Sequence, residues 1–505
     1  MNELNKINYF KDLFGVLKIW LLAGLITVNF TSCKKFTDVV APTTSITGAS
    51  VFTSDATAIA VLTGMYAKIS NSALNTYGTL PSLTFASGLS SDEFNLSTAV
   101  TDATAKTYNT NALFANGSAA PGSEFWSNFY GYIFQCNAAI EGLNASNSLT
   151  PAVKQQLLGE AKFLRALFYF YLVNLYGDVP LALTSDYKVN AVLARTPKLQ
   201  VYQQIISDLK EAQSLLSQKY LDASLLNSYG ERVRPTSWAA TALLARTYLY
   251  LGNLGGDASN YTDAEAQATT LISNTGTFIL STLAKTFVKY SLGNNEAIWQ
   301  LQPVNTGWNT EDAKAFVVTN TGPATPGGLN LGALSSANLI NAFESGDNRK
   351  INWIGNINLS GTTYYFPFKY KIYIQNQPVN EYLTVFRLGE QYLIRAEARA
   401  QLGENTAAND LNAIRNRAGL VNYAGATDKT SLLAAILHER QVELFAEFGH
   451  RWLDLKRTGK VDAVMGSPGG ATAVKGGRWS SYQQLYPLPL GDLQLNVNLK
   501  QNPEY

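Results

Sequence analysis

The sequence is short of the residues that do most polar chemistry. Its 505 residues include only two histidines and two cysteines. Two imidazoles leave little material for acid–base catalysis near neutral pH or for a metal site. Two thiols allow one disulfide at most. Charge is scarce too: 15% of residues are Asp, Glu, Lys or Arg, against about 25% in an average domain. The 39 basic and 37 acidic residues leave a formal charge of +2, which gives no global field to hold nucleic acid. The uncharged apolar run from Ile19 to Phe30 covers twelve residues, where a bilayer-spanning helix needs about 20.

That run has the length of a signal-peptide core, and Lys6, Lys11 and Lys18 supply the positive region before it. It ends in Phe30-Thr31-Ser32-Cys33, which resembles the lipobox of bacterial lipoproteins with Phe in place of the usual Leu. The resemblance implies an acylated Cys33 as the mature N-terminus and attachment to a membrane through its acyl chains. The polar stretch after it, with Lys34, Lys35, Thr37 and Asp38, reads as a tether. Acylation would leave Cys136 without a partner, so no intrachain disulfide is expected. Cys136 lies in a helical pattern and reads as a small buried apolar residue.

What the chain does have is apolar and aromatic material. Hydrophobic residues make up 46%, with 27 Tyr, 23 Phe and 8 Trp, which excludes a disordered chain. Helical periodicity predicts helices near 54–71, 124–143, 151–176, 198–219, 235–252, 262–274, 382–402, 405–418 and 430–448. Gly177 and Pro180 are stop signals for the third. Two helix pairs, at 242–272 and 392–415, share Ala-rich faces and a Leu-Gly ending, Leu251-Gly252 and Leu402-Gly403. They resemble tetratricopeptide units. More than 100 residues separate them, which predicts embedded repeats rather than one continuous solenoid. Segments 72–123 and 275–381 lack helical order. Within the second, 294–301 reads as a turn into a strand, and Thr362–Ile374 is aromatic and β-prone. The expected plan is a leader (1–32), a tether (33–50), an N-terminal helical part (51–274), an irregular insert (275–381) and a C-terminal helical part (382–505). The fold class is mainly α with minor β.

Several runs together resemble the SusD/RagB-like outer-membrane lipoproteins of Bacteroidota. They are Gly159-Glu160-Ala161-Lys162-Phe163-Leu164-Arg165-Ala166, Tyr176-Gly177-Asp178-Val179-Pro180-Leu181 and Leu244-Ala245-Arg246-Thr247-Tyr248-Leu249. Further on come Arg387-Leu388-Gly389-Glu390, Tyr392–Ala398, Leu411–Arg415, Glu439–Leu444, Arg451–Gly459 and the closing Gln501-Asn502-Pro503-Glu504-Tyr505. Glu504 stands where the family more often has Gly. The resemblance covers essentially the whole chain. It implies a SusD-like fold, with tetratricopeptide-like helix pairs cradling a loop-rich binding region. It also implies a surface lipoprotein of the outer membrane that captures an oligosaccharide and passes it to a SusC-like TonB-dependent transporter. Some family members handle peptides, which is the alternative. No cofactor, metal or catalytic residue is implied.

The matching motifs read as structural. Arg165, Arg395, Arg440 and Arg451 sit among apolar helix positions near Glu160, Glu390, Glu397 and Glu443, which predicts internal ion pairs. Asp92-Glu93 and Glu311-Asp312 lie in loops that look exposed, and their expected work is hydrogen bonding rather than glycosidase chemistry. His438 and His450 lack metal-ligand spacing. Sugar binding instead needs flat aromatic faces and amide or carboxylate groups. Trp308, in the polar turn Asn305–Thr310, is the first candidate. Tyr77, Tyr108, Trp353 and Tyr364 follow, with Asp92, Asn95 and Asn309 as hydrogen-bonding partners. Trp126, Trp238, Trp299 and Trp452 lie in periodic elements and read as core.

Overall fold

The computed structural model describes residues 51–115, 120–324 and 329–505. The leader, Cys33 and the tether lie outside the described residues. The backbone is mostly helical, and periodicity located most of the helices. Helix Glu124–Ala145 buries Phe125, Trp126, Phe129, Tyr132, Ile133, Cys136 and Ile140 along one stripe. Helix Pro151–Tyr176 starts with proline at its first turn, is buried almost all round from Gly159 onward, and stops at Gly177, whose φ is 77°.

The helices pack in chain order: Glu124–Ala145 on Pro151–Tyr176, then Lys198–Leu215, Ser237–Gly255 and Ser259–Ile272. Helix Ser259–Ile272 then packs directly on Leu388–Leu402, which packs on Ala407–Arg417 and Lys429–Glu443. The two repeat pairs are therefore neighbours, and the stack is continuous in space. This corrects the expectation of separated repeats. The intervening segment leaves the stack and returns to the place it left.

The two Leu-Gly signals do different work. Gly403 is the left-handed cap that ends Leu388–Leu402, at φ 77°. Gly252 lies inside a helix that continues to Gly255. A Cβ on it would sit 2.6 Å from the Tyr261 ring, so glycine there permits close approach of the paired helix.

Three two-stranded antiparallel sheets hang on this frame. Strand Phe94–Leu96 pairs with Ala333–Ser335, Ala297–Leu301 with Leu383–Arg387, and Ile354–Leu359 with Thr362–Pro367. The strand expected after 294 is present. Residues 383–387, expected as helix, are a buried strand instead, because Thr384, Val385 and Phe386 are β-branched or aromatic and cover strand Ala297–Leu301. Segment 72–123 is also more ordered than expected, with helices Ser82–Ser90 and Ala103–Asn109. Helix Lys429–Glu443 stops five residues early. Beyond it Ala446 and Phe448 take positive φ. Their amides donate to Glu93 Oε1 and Thr84 Oγ1, both at 3.0 Å.

The four motif arginines do form internal ion pairs, but with aspartates. Arg165 pairs with Asp208, Arg395 with Asp410, Arg440 with Asp454 and Arg451 with Asp92. The nearby glutamates pair elsewhere: Glu160 with Arg234, Glu390 with Arg246, Glu397 with Arg457, and Glu443 with Arg349, Arg387 and Arg417. Glu160 and Arg165 are five residues apart, so they point about 140° apart around the helix. Each therefore meets a different neighbour.

Candidate functional site

The irregular segments converge where the loops at 71–78, 97–102, 302–310, 319–324, 329–332 and 371–380 approach one another. Two small cavities open there and meet at Asn330. One, of about 150 Å³, is lined by Asn75, Thr101, Asp102 and Asn330. The other, of about 110 Å³, is lined by Lys314, Thr319, Asn330 and Tyr373. Asn330 itself is a partition. Its Oδ1 accepts from the Gly332 amide at 2.8 Å, and its Nδ2 donates to the Ala315 carbonyl at 3.1 Å.

Tyr77 borders the first cavity through Asp102. Its hydroxyl donates to Asp102 Oδ2 at 3.1 Å, and the other oxygen of Asp102 caps helix Ala103–Asn109 by accepting from the amides of Thr104 and Ala105. The ring is half-buried and stacks on Tyr108, with centroids 5.3 Å apart and planes at 21°. The chain reverses beside it at Gly78, at φ 86°, where a Cβ would lie 2.5 Å from the Glu124 carbonyl. Tyr108 is fully buried and its hydroxyl donates to Glu124 Oε2 at 3.1 Å. Desolvation, then the Glu124 carboxylate, push its hydroxyl well above the ordinary range.

Trp308 is half-buried in a tight turn. Its amide donates to the Asn305 carbonyl at 3.0 Å, and Gly307, at φ 80°, accepts from the Asn376 amide at 2.7 Å. Lys314 Nζ lies 4.7 Å from the Trp308 ring centroid and is held by both oxygens of Glu311, at 2.8 and 2.7 Å. Lys314 thus joins the Trp308 turn to the second cavity, with its charge balanced.

The other candidates divide. Asn95 on strand Phe94–Leu96 and Tyr364 on strand Thr362–Pro367 are half-buried. Four belong to the interior, and for these the expectation of direct ligand contact is corrected. Asp92 is clamped by Arg451 at 2.7 and 2.8 Å. Asn309 is spent tying two loops together. Its Oδ1 accepts from the amides of Asn380 and Glu381, and its Nδ2 donates to the Pro378 carbonyl. Trp353 is fully buried, with Nε1 donating to the Leu283 carbonyl. Tyr108 supports Tyr77 from beneath. The residues missed in the sequence are Asn75, Thr101, Asp102, Lys314 and Tyr373. Tyr373 stands in the aromatic run 362–374, and Asp102 has the look of a helix cap, so both carried a usable signal.

The carboxylates that looked exposed are buried. Glu93 and Asp312 are each pushed up to about 8, in both cases by desolvation first. Asp312 is 3% exposed, so it is out of reach of a substrate. His450 is buried and held well below its ordinary range by desolvation and by nearby Arg246, Arg440 and Arg387. His438 Nε2 lies 2.8 Å from the Ala342 carbonyl. Among the described residues, no three His, Cys, Asp or Glu side chains are grouped to hold a metal ion.

Comparison with known proteins agrees with this architecture. The family described as the SusD family matches residues 338–505, and one described as starch-binding associating with outer membrane matches residues 43–249. A SusD-like protein of Formosa agariphila is 25% identical over 525 aligned residues, covering 92% of this chain and 94% of that one. The starch-binding protein SusD of Bacteroides thetaiotaomicron is 32% identical over 126 residues, 24% of this chain and 21% of that one. Among solved structures, a SusD superfamily protein of Parabacteroides distasonis superposes with a TM-score of 0.73 at 23% identity, covering 89% of this chain and 98% of that one. A laminarin-binding SusD-like protein gives 0.67 at 23% identity, covering 89% and 99%. These relatives are named as binding proteins, not as enzymes. The fold, the helix-motif ion pairs and these matches converge on one conclusion: the chain belongs to the SusD/RagB-like family.

Proposed function

We propose that this protein is a non-catalytic glycan-capture lipoprotein of the outer membrane, anchored through acylated Cys33, which delivers an oligosaccharide to a SusC-like TonB-dependent transporter. The observation that carries the reading is the composition of the loop cluster. Tyr373 lines one cavity with Thr319, Asn75 and Thr101 line the other, and the half-buried rings of Tyr77 and Trp308 adjoin them through Asp102 and Lys314. Aromatic faces suit the C–H patches of a pyranose, and the polar groups suit its hydroxyls. Lys314 is neutralised by Glu311, which suits a neutral ligand. The names of relatives, starch-binding and laminarin-binding, point the same way.

The discriminating experiment is an array of glycans and peptides probed with the chain from residue 34 onward. The expected outcome is retention by one class of neutral glycan and no retention by peptides. Retention by extended peptides alone would replace this reading with peptide uptake through the same architecture.

A further inference from the structure

A cavity larger than the two at the loop cluster lies away from them and shares none of their lining residues. Its volume is about 420 Å³, within the range of small-molecule sites. It opens between helix Glu124–Ala145, segment 180–193 and the C-terminal helix Leu490–Leu495. Trp126 and Tyr130, with ring centroids 4.9 Å apart, form part of its wall. Phe134, Tyr187 and Leu495 stand at its rim and are strongly exposed. A large apolar wall left open to water at a concave site is the usual mark of a binding surface.

Most polar atoms of that wall are already engaged. The donors point into the protein. Trp126 Nε1 donates to Asp492 Oδ2 at 2.7 Å, and the Tyr130 hydroxyl donates to the Pro180 carbonyl at 2.6 Å. Asn137 Nδ2 donates to the carbonyls of Ala182 and Thr184, Asn190 Nδ2 to that of Thr184, and Asn496 Nδ2 to that of Leu193. The Tyr187 hydroxyl, at the exposed rim, is outside this buried set. One N–H each of Asn190 and Asn496 remains, together with acceptor capacity at two groups. Asn190 Oδ1 is out of water and has no hydrogen-bond partner. Only one oxygen of the Asp492 carboxylate meets the Trp126 indole. An unpaired buried acceptor is destabilising until a donor meets it.

We propose that this cavity is a second binding site, for a small amphiphile: an apolar ring system carrying an N–H or O–H donor and a neutral or positive charge. The ring would displace water from the Tyr130, Phe134 and Leu495 surfaces, and the donor would meet the Asp492 carboxylate or, once its side chain turns outward, Asn190 Oδ1. An anion would face the Asp492 carboxylate, whose like charge opposes it.

Three probes of one shape test this by calorimetry on the purified chain: 1-naphthylmethylamine, 1-naphthalenemethanol and 1-naphthoate. The expected result is saturable binding of the amine and the alcohol, with the carboxylate at least tenfold weaker. Tyr187 and Leu495 are 71% and 86% exposed, so Tyr187→Ala with Leu495→Ala leaves the core intact. That double variant is expected to weaken the amine at least fivefold. Asn190→Leu with Asp492→Asn is expected to erase the preference for donors over the carboxylate. Equal binding of all three probes, or undiminished binding to the rim variant, would overturn the proposal. So would loss of binding in Trp308→Ala, which would place the probe in the loop cluster.

Discussion

Arg246→Met is expected to destabilise the protein by about 3–5 kcal/mol. Arg246 and Glu390 lie 144 positions apart and grip each other in a fork, with Nε to Oε1 at 2.6 Å and Nη2 to Oε2 at 2.7 Å. Both side chains are buried. Removing the guanidinium leaves a carboxylate with no counter-charge in the interior. The Arg246→Met/Glu390→Leu double variant is expected to regain most of the loss, because two apolar side chains of similar volume need no counter-charge. Denaturant unfolding of the three proteins reads this directly. Against a total stability of about 5–15 kcal/mol, the single variant should unfold at clearly lower denaturant. If the double variant is as unstable as the single one, the pair acts through packing rather than charge. Glycan affinity of whatever remains folded should not change, since these motif residues hold helices together.

Cys33→Ala is expected to move the protein from the membrane fraction to the soluble one. Each buried acyl CH₂ contributes about 0.8 kcal/mol, and two or more chains anchor stably where one does not. No helix among the described residues is long and apolar enough to cross a membrane, so the variant has no helical span there to replace the anchor. Fractionation followed by immunoblotting settles the point. A variant that stays with the membrane would show that something other than Cys33 retains it.

The helix frame was legible because its signals are local. The apolar stripe of Glu124–Ala145 and the proline and glycine ends of Pro151–Tyr176 lie within the elements they define. Strand Leu383–Arg387 was not legible, because Tyr382-Leu383-Thr384-Val385-Phe386 runs without a break into a helix. Only its partner strand, Ala297–Leu301, distinguishes the two. The loop cluster was half legible. Trp308 and Tyr77 stand in polar turns, and both remain half-exposed at the cluster. Asp92 and Asn309 stand in equally polar surroundings but are buried, because Arg451 and the Asn380–Glu381 backbone come from far along the chain to meet them. Local polarity reports a turn and says nothing of what covers it. The ion pairs show the same limit: burial of each arginine was readable, but the aspartate that meets it was not.

The central claim is that a neutral glycan is held on the aromatic faces of the loop cluster, and a calorimetric titration of wild type and Trp308→Ala tests it most directly. The titrant is the glycan retained on the array. The expected result is about tenfold weaker binding by the variant, or ~1.4 kcal/mol, with an unfolding midpoint unchanged from wild type. Equal affinity for the two proteins would contradict the account.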